Sequence, residues 1–177
     1  RLTDGSGEVY PRISPDGRHF FYQSGVGEVM STIWTMPVDG GPAGQVTKTH
    51  AVYPSLSPDG EMISYFYMDT SISGKGEWRI AIARTSDGSV VRSFKISDNI
   101  IGRVARWSPD GESIVYAKSN GKVGDLWRQP LDGSDPVQIT DFGTYTIGDF
   151  AWSLDGKKIA LTRSSEIRDV VLIRQNR

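Results

Sequence analysis

Apolar and polar residues alternate in four stretches of this chain, and one short turn phrase precedes each stretch. The phrase is Ser-Pro-Asp-Gly three times and Ser-Leu-Asp-Gly once. Its aspartates are Asp16, Asp59, Asp110 and Asp155. The stretches that follow cover residues 19–23, 62–66, 113–117 and 158–162. Alternation with a period of two is typical of β-strands, because successive side chains point to opposite faces of a sheet.

The four copies indicate a repeat architecture. Successive aspartates are 43, 51 and 45 residues apart. Repeats of this length without a helical periodicity predict an all-β fold, a β-propeller of four-stranded antiparallel blades. The predicted blades cover about residues 8–49, 50–97, 98–142 and 143–177, all within one domain.

Strand and turn signals can be followed through the first repeat. They predict strands at residues 9–14, 19–24, 32–38 and 45–47, with the turn at 15–17. Pro, Asp and Gly each favour such a turn, so the four aspartates are interpreted as structural turn residues rather than catalytic groups. In the longer second repeat, the polar segment 68–77 is predicted to be an exposed loop between the second and third strands.

The fourth repeat has three predicted strands, at residues 150–153, 158–162 and 170–173. Residues 1–3 resemble the fourth strands at 45–47 and 138–140, so they could pair with 170–173 and close the ring. Three arrangements remain open at this stage: a sealed four-bladed ring, an open part of a longer array, and a homodimer that pairs into eight blades. The longer array is narrowly favoured.

The five tryptophans are predicted to pack between blades. Trp107 and Trp152 precede the turn serines at positions that Ile13 and Leu56 occupy in the other repeats. A position filled by Ile, Leu or Trp is typical of an apolar packing site. Trp34, Trp78 and Trp127 fall in third strands and are expected to contact a neighbouring blade.

Composition and charge narrow the range of functions. The net charge is −1, with 20 basic and 21 acidic residues, so bulk charge does not favour nucleic acid or an anionic membrane as a partner. The chain has no cysteine, which excludes disulfides and thiolate chemistry. No apolar run reaches the ~20 residues that a membrane-spanning helix needs, so no membrane insertion is expected.

The residues of an enzyme are not recognisable in the sequence. It has no Gly-x-Ser-x-Gly elbow and no phosphate-binding glycine loop, and its two histidines lie at non-equivalent positions. No calcium-loop pattern occurs either. We therefore expect a protein that is not an enzyme and has neither a metal nor a cofactor.

The repeats resemble those of the TolB-like, WD-type β-propellers of bacteria. The shared pattern is an apolar residue, Ser-Pro-Asp-Gly, an apolar strand, a later aromatic strand and Asp-Gly, and it covers nearly the whole chain. TolB has six blades and a separate α/β domain, whereas this chain shows four repeats. The resemblance implies a propeller that binds macromolecules or ligands at one face or at the mouth of its central channel.

Residues in or just before the first strands are the candidate binding residues, because that part of a propeller lies near the channel mouth. They differ chemically between repeats, as a specific site requires, and Arg and Tyr are enriched at binding hot spots. The candidates are Glu8, Tyr10, Arg12, His50, Tyr53, Arg103, Arg106 and Asp149. The alternative is that these residues form hydrogen bonds and salt bridges between blades.

The arginines suggest what the ligand could be. If Arg12, Arg103 and Arg106 converge at the mouth, the partner should be acidic: a peptide carboxylate, a protein loop or a small anion. Glu8 and Asp149 could instead neutralise the arginines in place.

The sequence favours a non-catalytic binding scaffold, such as the sensor module of a bacterial signalling or envelope protein in the periplasm. The alternative function is a propeller that gates substrate access to a peptidase domain outside this chain.

Overall fold

The computed structural model describes residues 3, 7–25, 30–71, 76–96, 100–119 and 123–164. Within these residues the protein is all-β, with antiparallel sheets and no helix. Sheet 1 contains β1 (Val9–Ile13), β2 (His19–Ser24), β3 (Thr32–Pro37) and β4 (Gly44–Gln45). Sheet 2 contains β5 (Val52–Leu56), β6 (Met62–Asp69), β7 (Glu77–Arg84) and β8 (Val90–Lys95). Sheet 3 contains β9 (Ile100–Trp107), β10 (Ser113–Ser119), β11 (Gly124–Pro130) and β12 (Val137–Gln138). Sheet 4 contains β13 (Thr146–Trp152) and β14 (Ile159–Ser164).

Strand order within each sheet follows the chain, as expected of successive hairpins. The first strands β1, β5, β9 and β13 contact one another from sheet to sheet and form the inner side of the arrangement. The closing contact predicted between residues 1–3 and 170–173 lies outside the described residues, because Arg1, Leu2 and the whole of 170–173 are not among them.

The repeated turn has the same hydrogen bonds in all four sheets. In the third copy the Ser108 hydroxyl donates to Asp110 Oδ1 (2.5 Å), and the same oxygen accepts the backbone N–H of Glu112 (2.9 Å). The Ser113 N–H donates to Ser108 Oγ (3.0 Å), and Gly111 has a φ of 73°. Glycine adopts this φ without strain. The structure therefore places the four turn aspartates in equivalent positions, each bonded within its own turn.

Strand alternation assigns each residue to one of two neighbouring sheets. On β6, Ile63 and Tyr65 pack against sheet 1, whereas Phe66 packs against sheet 3. On β10, Ile114 and Tyr116 face sheet 2, whereas Val115 and Ala117 face sheet 4. The cores therefore lie between sheets, as in blade-on-blade packing. The largest core contains Val52, Phe66, Ile80, Ile82, Ile96, Ala105, Trp107, Ile114 and Tyr116.

The sheets do not close into a ring in the part of the chain that the structure describes. A methyl group added at Gly60 would lie 3.0 Å from Pro15 Cδ, and one at Gly156 would lie 2.7 Å from Pro109 Cβ. Each turn therefore packs against the preceding turn. Gly17 has nothing within 4 Å of its added methyl group, and Leu154, which replaces the proline in the last turn, is fully exposed. The arc thus has two uncovered ends.

The prediction of an exposed loop at 68–77 was wrong at both ends. Strand β6 continues through Met68 and Asp69, and β7 already starts at Glu77. Asp69 and Glu77 are cross-strand neighbours, and Arg79 compensates their repulsion with contacts of 3.9 Å to Asp69 and 3.2 Å to Glu77. Lys95 on β8 also pairs with Glu77, so two cations offset the repulsion between the acidic residues.

The tryptophan predictions have a mixed outcome. Trp107 is 5% exposed and donates its Nε1–H to the Ser55 carbonyl of sheet 2 (2.9 Å). Trp78, Trp127 and Trp152 are half-buried against the inter-sheet cores. Trp34 differs, because its neighbour Ile33 takes the side that faces sheet 2 and leaves Trp34 on the outer side of sheet 1. Ile13, in the same repeat position as Trp107, is 59% exposed, because no sheet of the described residues covers it.

We predict that Ser108→Ala lowers the free energy of unfolding by about 1–3 kcal/mol, because it removes one partner of buried hydrogen bonds. Urea unfolding would measure this. The matched variant Ser14→Ala should cost less, since its turn is more exposed. Equal losses at both sites would contradict this account.

Ser108→Ala should also change the acid stability. Two hydrogen bonds hold the pKa of Asp110 below its usual value. The bond from the Ser108 hydroxyl has the larger effect, and the bond from the Glu112 N–H has the smaller one. A carboxylate with a lowered folded-state pKa contributes stability above its unfolded pKa of about 4 and loses it as the pH falls through the folded value. The wild type should therefore lose stability below about pH 4, and Ser108→Ala should show a shallower loss.

Candidate functional site

A cavity of about 410 Å³ lies where the inner strands run into the repeated turns, and all four sheets line it. We call it the turn-side cavity. Its walls include Arg12 and Ile13 from sheet 1, Ser55 from sheet 2, Arg106 from sheet 3, and Trp152 and Leu154 from sheet 4. It combines two guanidinium groups with apolar and aromatic side chains, which is a common composition for a protein-binding site.

Arg106 is held by sheet 4. Its Nε–H donates to the Phe150 carbonyl (2.7 Å), and its Nη2 lies 3.1 Å from Asp149 Oδ1. The guanidinium carbon is 6.0 Å from the centre of the Phe150 ring. The Arg106 side chain is 25% exposed and that of Asp149 is 59% exposed. Arg106 therefore joins sheets 3 and 4, which is the salt bridge between blades that the sequence left as an alternative.

Arg12 is half-buried but makes far fewer contacts. Its Nη1 donates to the carbonyl of its neighbour Pro11 (3.0 Å), while its buried Nε has no hydrogen-bond partner among the described residues. Burial lowers the pKa of Arg12, as does the nearby charge of Arg106, and the charge of Asp149 opposes them. The two arginines are thus close enough to repel each other, and Asp149 lies within reach of both.

The repeats explain why the two arginines differ. Arg12 and Arg106 are both the second residue before a turn serine. Asp149 is the fourth residue before the turn serine of the sheet that follows Arg106. In the sheet that follows Arg12, that position is Tyr53, which carries no carboxylate. Arg12 therefore lacks the counter-ion that its counterpart has.

Tyr10 and Tyr53 form a second feature of the inner strands. Their rings are 4.7 Å apart, and both residues have positive φ values, 53° and 57°. Bulky residues seldom adopt such angles, and each lies where the strand register shifts. The Tyr53 N–H donates to Gln23 Oε1 of sheet 1 (3.2 Å). Burial, together with a hydrogen bond to Tyr10, raises the pKa of Tyr53 to about 12, so Tyr53 remains protonated at neutral pH.

The remaining candidate residues lie elsewhere or are not described. His50 precedes β5 at the strand end opposite the turn. Its ring centre is 5.8 Å from that of Trp78, and its Nδ1 accepts the Met68 N–H (3.4 Å). Glu8 lines a separate cavity of about 210 Å³ on the outer side of sheet 1. The side chain of Arg103 is outside the described residues. The structure therefore brings together Arg12, Arg106 and Asp149, with the tyrosine pair on the same inner strands.

Two contacts of the inner strands involve residues that were not among the predicted candidates. The Phe150 carbonyl engages Arg106, and Gln23 links sheets 1 and 2 through the Tyr53 backbone. A signal is nevertheless present in the sequence. When the repeats are aligned on the turn serine, the repeat after Arg106 has an aspartate at the position where the repeat after Arg12 has a tyrosine.

Two guanidiniums can hold an anion but cannot act as bases, because arginine stays protonated. The described residues contain no group of three or more potential metal ligands. They also contain no helix long and apolar enough to cross a membrane.

No family model matches the chain. An uncharacterized protein of Agrobacterium fabrum is 29% identical over 167 residues, which cover 85% of this chain and 53% of the relative. The chain thus spans about half the length of this curated relative.

Solved structures show the fold. TolB from Acinetobacter baumannii superimposes with a TM-score of 0.70 at 22% identity, over 90% of this chain and 38% of TolB. A TolB candidate from Agrobacterium tumefaciens gives 0.67 at 24% identity, over 89% and 55% of the two chains. The acylaminoacyl peptidase of Pyrococcus horikoshii gives 0.62 at 15% identity, over 87% and 28%. The chain has a TolB-like β-propeller fold.

We predict that Arg106→Ala lowers the free energy of unfolding by about 1–3 kcal/mol, most of it from the lost bond to Phe150, because the exposed ion pair contributes less. Arg12→Ala should stay within about 0.5 kcal/mol of the wild type, because it removes few contacts. Urea unfolding of both variants tests this. An equal loss in Arg12→Ala would mean that Arg12 is also structural.

Proposed function

We propose that this protein is a non-catalytic binding module in which the turn-side cavity receives a protein or peptide partner. The observation that carries the proposal is the convergence of all four sheets on one cavity that contains Arg12, whose buried Nε has no hydrogen-bond partner among the described residues. A rigid sheet arrangement that presents an unsatisfied charged group is suited to recognition, because the site is preorganised.

The rim of the cavity supports this proposal. Ile13 and Leu154 lie at its edge. Ile13 is 59% exposed, and Leu154 is fully exposed. Exposed apolar residues around buried polar groups are typical of docking surfaces, where they exclude water from the central contacts. The partner would bury these side chains and contact the arginines inside.

The fold likeness supports a role as an interaction or sensor module of a bacterial signalling or envelope protein, with an extracytoplasmic location. The partner itself is inferred from the cavity, because likeness at this level of identity extends to the fold alone.

The second candidate function is a propeller that gates a peptidase. The likeness to acylaminoacyl peptidase favours it, although that likeness covers 28% of the peptidase chain. A hydrolase domain with a Gly-x-Ser-x-Gly elbow in the same reading frame would support the gate. A kinase or DNA-binding domain there would support the sensor.

We also propose that the open arc is part of a longer array of blades. The uncovered Gly17 is equivalent to Gly60, Gly111 and Gly156, which pack against the proline of the preceding turn. The alternative is that two copies pair into an eight-bladed homodimer. We expect light scattering to give a monomer near 19.5 kDa for the 177-residue chain. Twice that mass would favour the paired ring and contradict the longer array.

The docking role can be tested at the rim. We predict that the double variant Ile13→Asp/Leu154→Asp fails to capture the partner that the wild type retains from an extract of the source organism, because two charges would face the partner's apolar contacts. The control Val90→Asp places the same charge on an exposed residue of the outer strand β8 and should capture normally. Capture by the rim variant at wild-type levels would exclude the cavity as the docking site.

A further inference from the structure

We propose that the turn-side cavity binds a single carboxylate group between Arg12 and Arg106. The inference rests on the proposed function and adds the chemistry of the group that the cavity recognises. It follows from the charge balance of the cavity, from the hydrogen-bonding capacity of Arg12, and from the comparison of two equivalent repeat positions.

The charged side chains at the cavity do not balance among the described residues. Arg12 and Arg106 both line the cavity, and Asp149 is the carboxylate that interacts with both charges. The Arg106 Nη2 lies 3.1 Å from Asp149 Oδ1 and 3.5 Å from Asp149 Oδ2. Among the described residues, one carboxylate therefore serves two guanidiniums and leaves a local excess of about one positive charge. A monovalent anion would balance that excess.

Arg12 also has unused hydrogen-bonding capacity. A guanidinium has five N–H donors, and Arg12 uses Nη1 for the Pro11 carbonyl. Its Nε is buried, and the described residues provide no acceptor for it. The equivalent Nε of Arg106 donates to a carbonyl. A buried donor without an acceptor leaves the guanidinium poorly stabilised, so a carboxylate beside the Arg12 guanidinium would gain more than at an exposed arginine.

The electrostatic environment favours the same ligand. Burial and the Arg106 charge lower the pKa of Arg12, and the Asp149 charge opposes them. A carboxylate beside Arg12 would add to the opposing effect, because a negative charge favours the protonated guanidinium. The planar carboxylate also fits the guanidinium fork with two parallel hydrogen bonds.

A carboxylate fits better than a phosphate. The local excess is about one charge, and a phosphate dianion would place its second charge near Asp149, where repulsion opposes binding. The apolar and aromatic walls, with Ile13, Leu154 and Trp152, suit the carbon atoms that adjoin a carboxylate.

Two sources could supply this carboxylate: the C-terminus of a polypeptide, or an Asp or Glu side chain within one. Isothermal titration with small probes at constant ionic strength separates them. N-acetylglycine presents a terminal carboxylate, and N-acetylaspartate with an amidated C-terminus presents a side-chain carboxylate. The neutral control is N-acetylglycinamide, and inorganic phosphate tests the choice of anion.

We expect one or both carboxylate probes to bind with 1:1 stoichiometry, N-acetylglycinamide not to bind, and phosphate to bind more weakly. The probe that binds more tightly identifies the source. Arg12→Gln should weaken binding about tenfold to a hundredfold, the equivalent of one charged hydrogen-bonded contact. Asp149→Asn should strengthen it several-fold, because the competing carboxylate charge is removed. The control Arg128→Gln, on β11 and outside the turn-side cavity, should bind like the wild type.

Several results would overturn the proposal: no carboxylate binding, phosphate binding more tightly, or unchanged affinity in Arg12→Gln with a normal unfolding curve. Failure of these probes does not decide the docking role. If the rim variant loses its partner while the carboxylate probes do not bind, the cavity is a docking site without a carboxylate subsite. If the probes bind but the rim variant keeps its partner, the subsite exists and the partner docks elsewhere.

Discussion

The fold depends on one constraint: an interior sheet of this protein must bury both of its faces. The repeated serine–aspartate–glycine turn satisfies the constraint by fixing where each second strand begins, so that alternate residues face the preceding and the following sheet. A register slip of one residue would exchange Ile114 with Val115 and place each in the wrong core. The packing between sheets therefore depends on the geometry of the turns, because the turns set the register of the strands.

The same constraint accounts for the different roles of the two arginines. Because the turns set the register, equivalent positions on successive inner strands have the same surroundings apart from their side chains. Asp149 in the sheet after Arg106 makes that arginine a link between sheets. In the sheet after Arg12 the equivalent residue is Tyr53, which offers no carboxylate to the Arg12 Nη atoms. The Arg12 Nε also finds no acceptor among the described residues, whereas the Arg106 Nε donates to the Phe150 carbonyl. These differences separate a stabilising contact from a candidate binding group.

Much of the fold could be predicted from the sequence, because turn chemistry and strand alternation are local. The strand pairs around each turn follow directly from the repeats. The extension of β6 and β7 could not be predicted, since the ion pairs of Asp69 and Glu77 with Arg79 and Lys95 form only when the strands are paired. The candidate site was predicted in part: the first strands do bring Arg12, Arg106 and Asp149 together. The positions of Glu8 and His50 depend on packing at other strand ends, which the repeat pattern does not contain.

The central difference between the two arginines is that the Arg106 Nε donates within the protein, whereas the Arg12 Nε has no acceptor among the described residues. Hydrogen exchange of the two arginine Nε–H groups, measured by NMR at low temperature and slightly acidic pH, tests it most directly. The Nε–H of Arg106 should be protected by its bond to Phe150, whereas that of Arg12 should exchange faster in the free protein and become protected when N-acetylglycine is added. Equal protection of both groups in the free protein would show that Arg12 has an internal acceptor and would contradict the account.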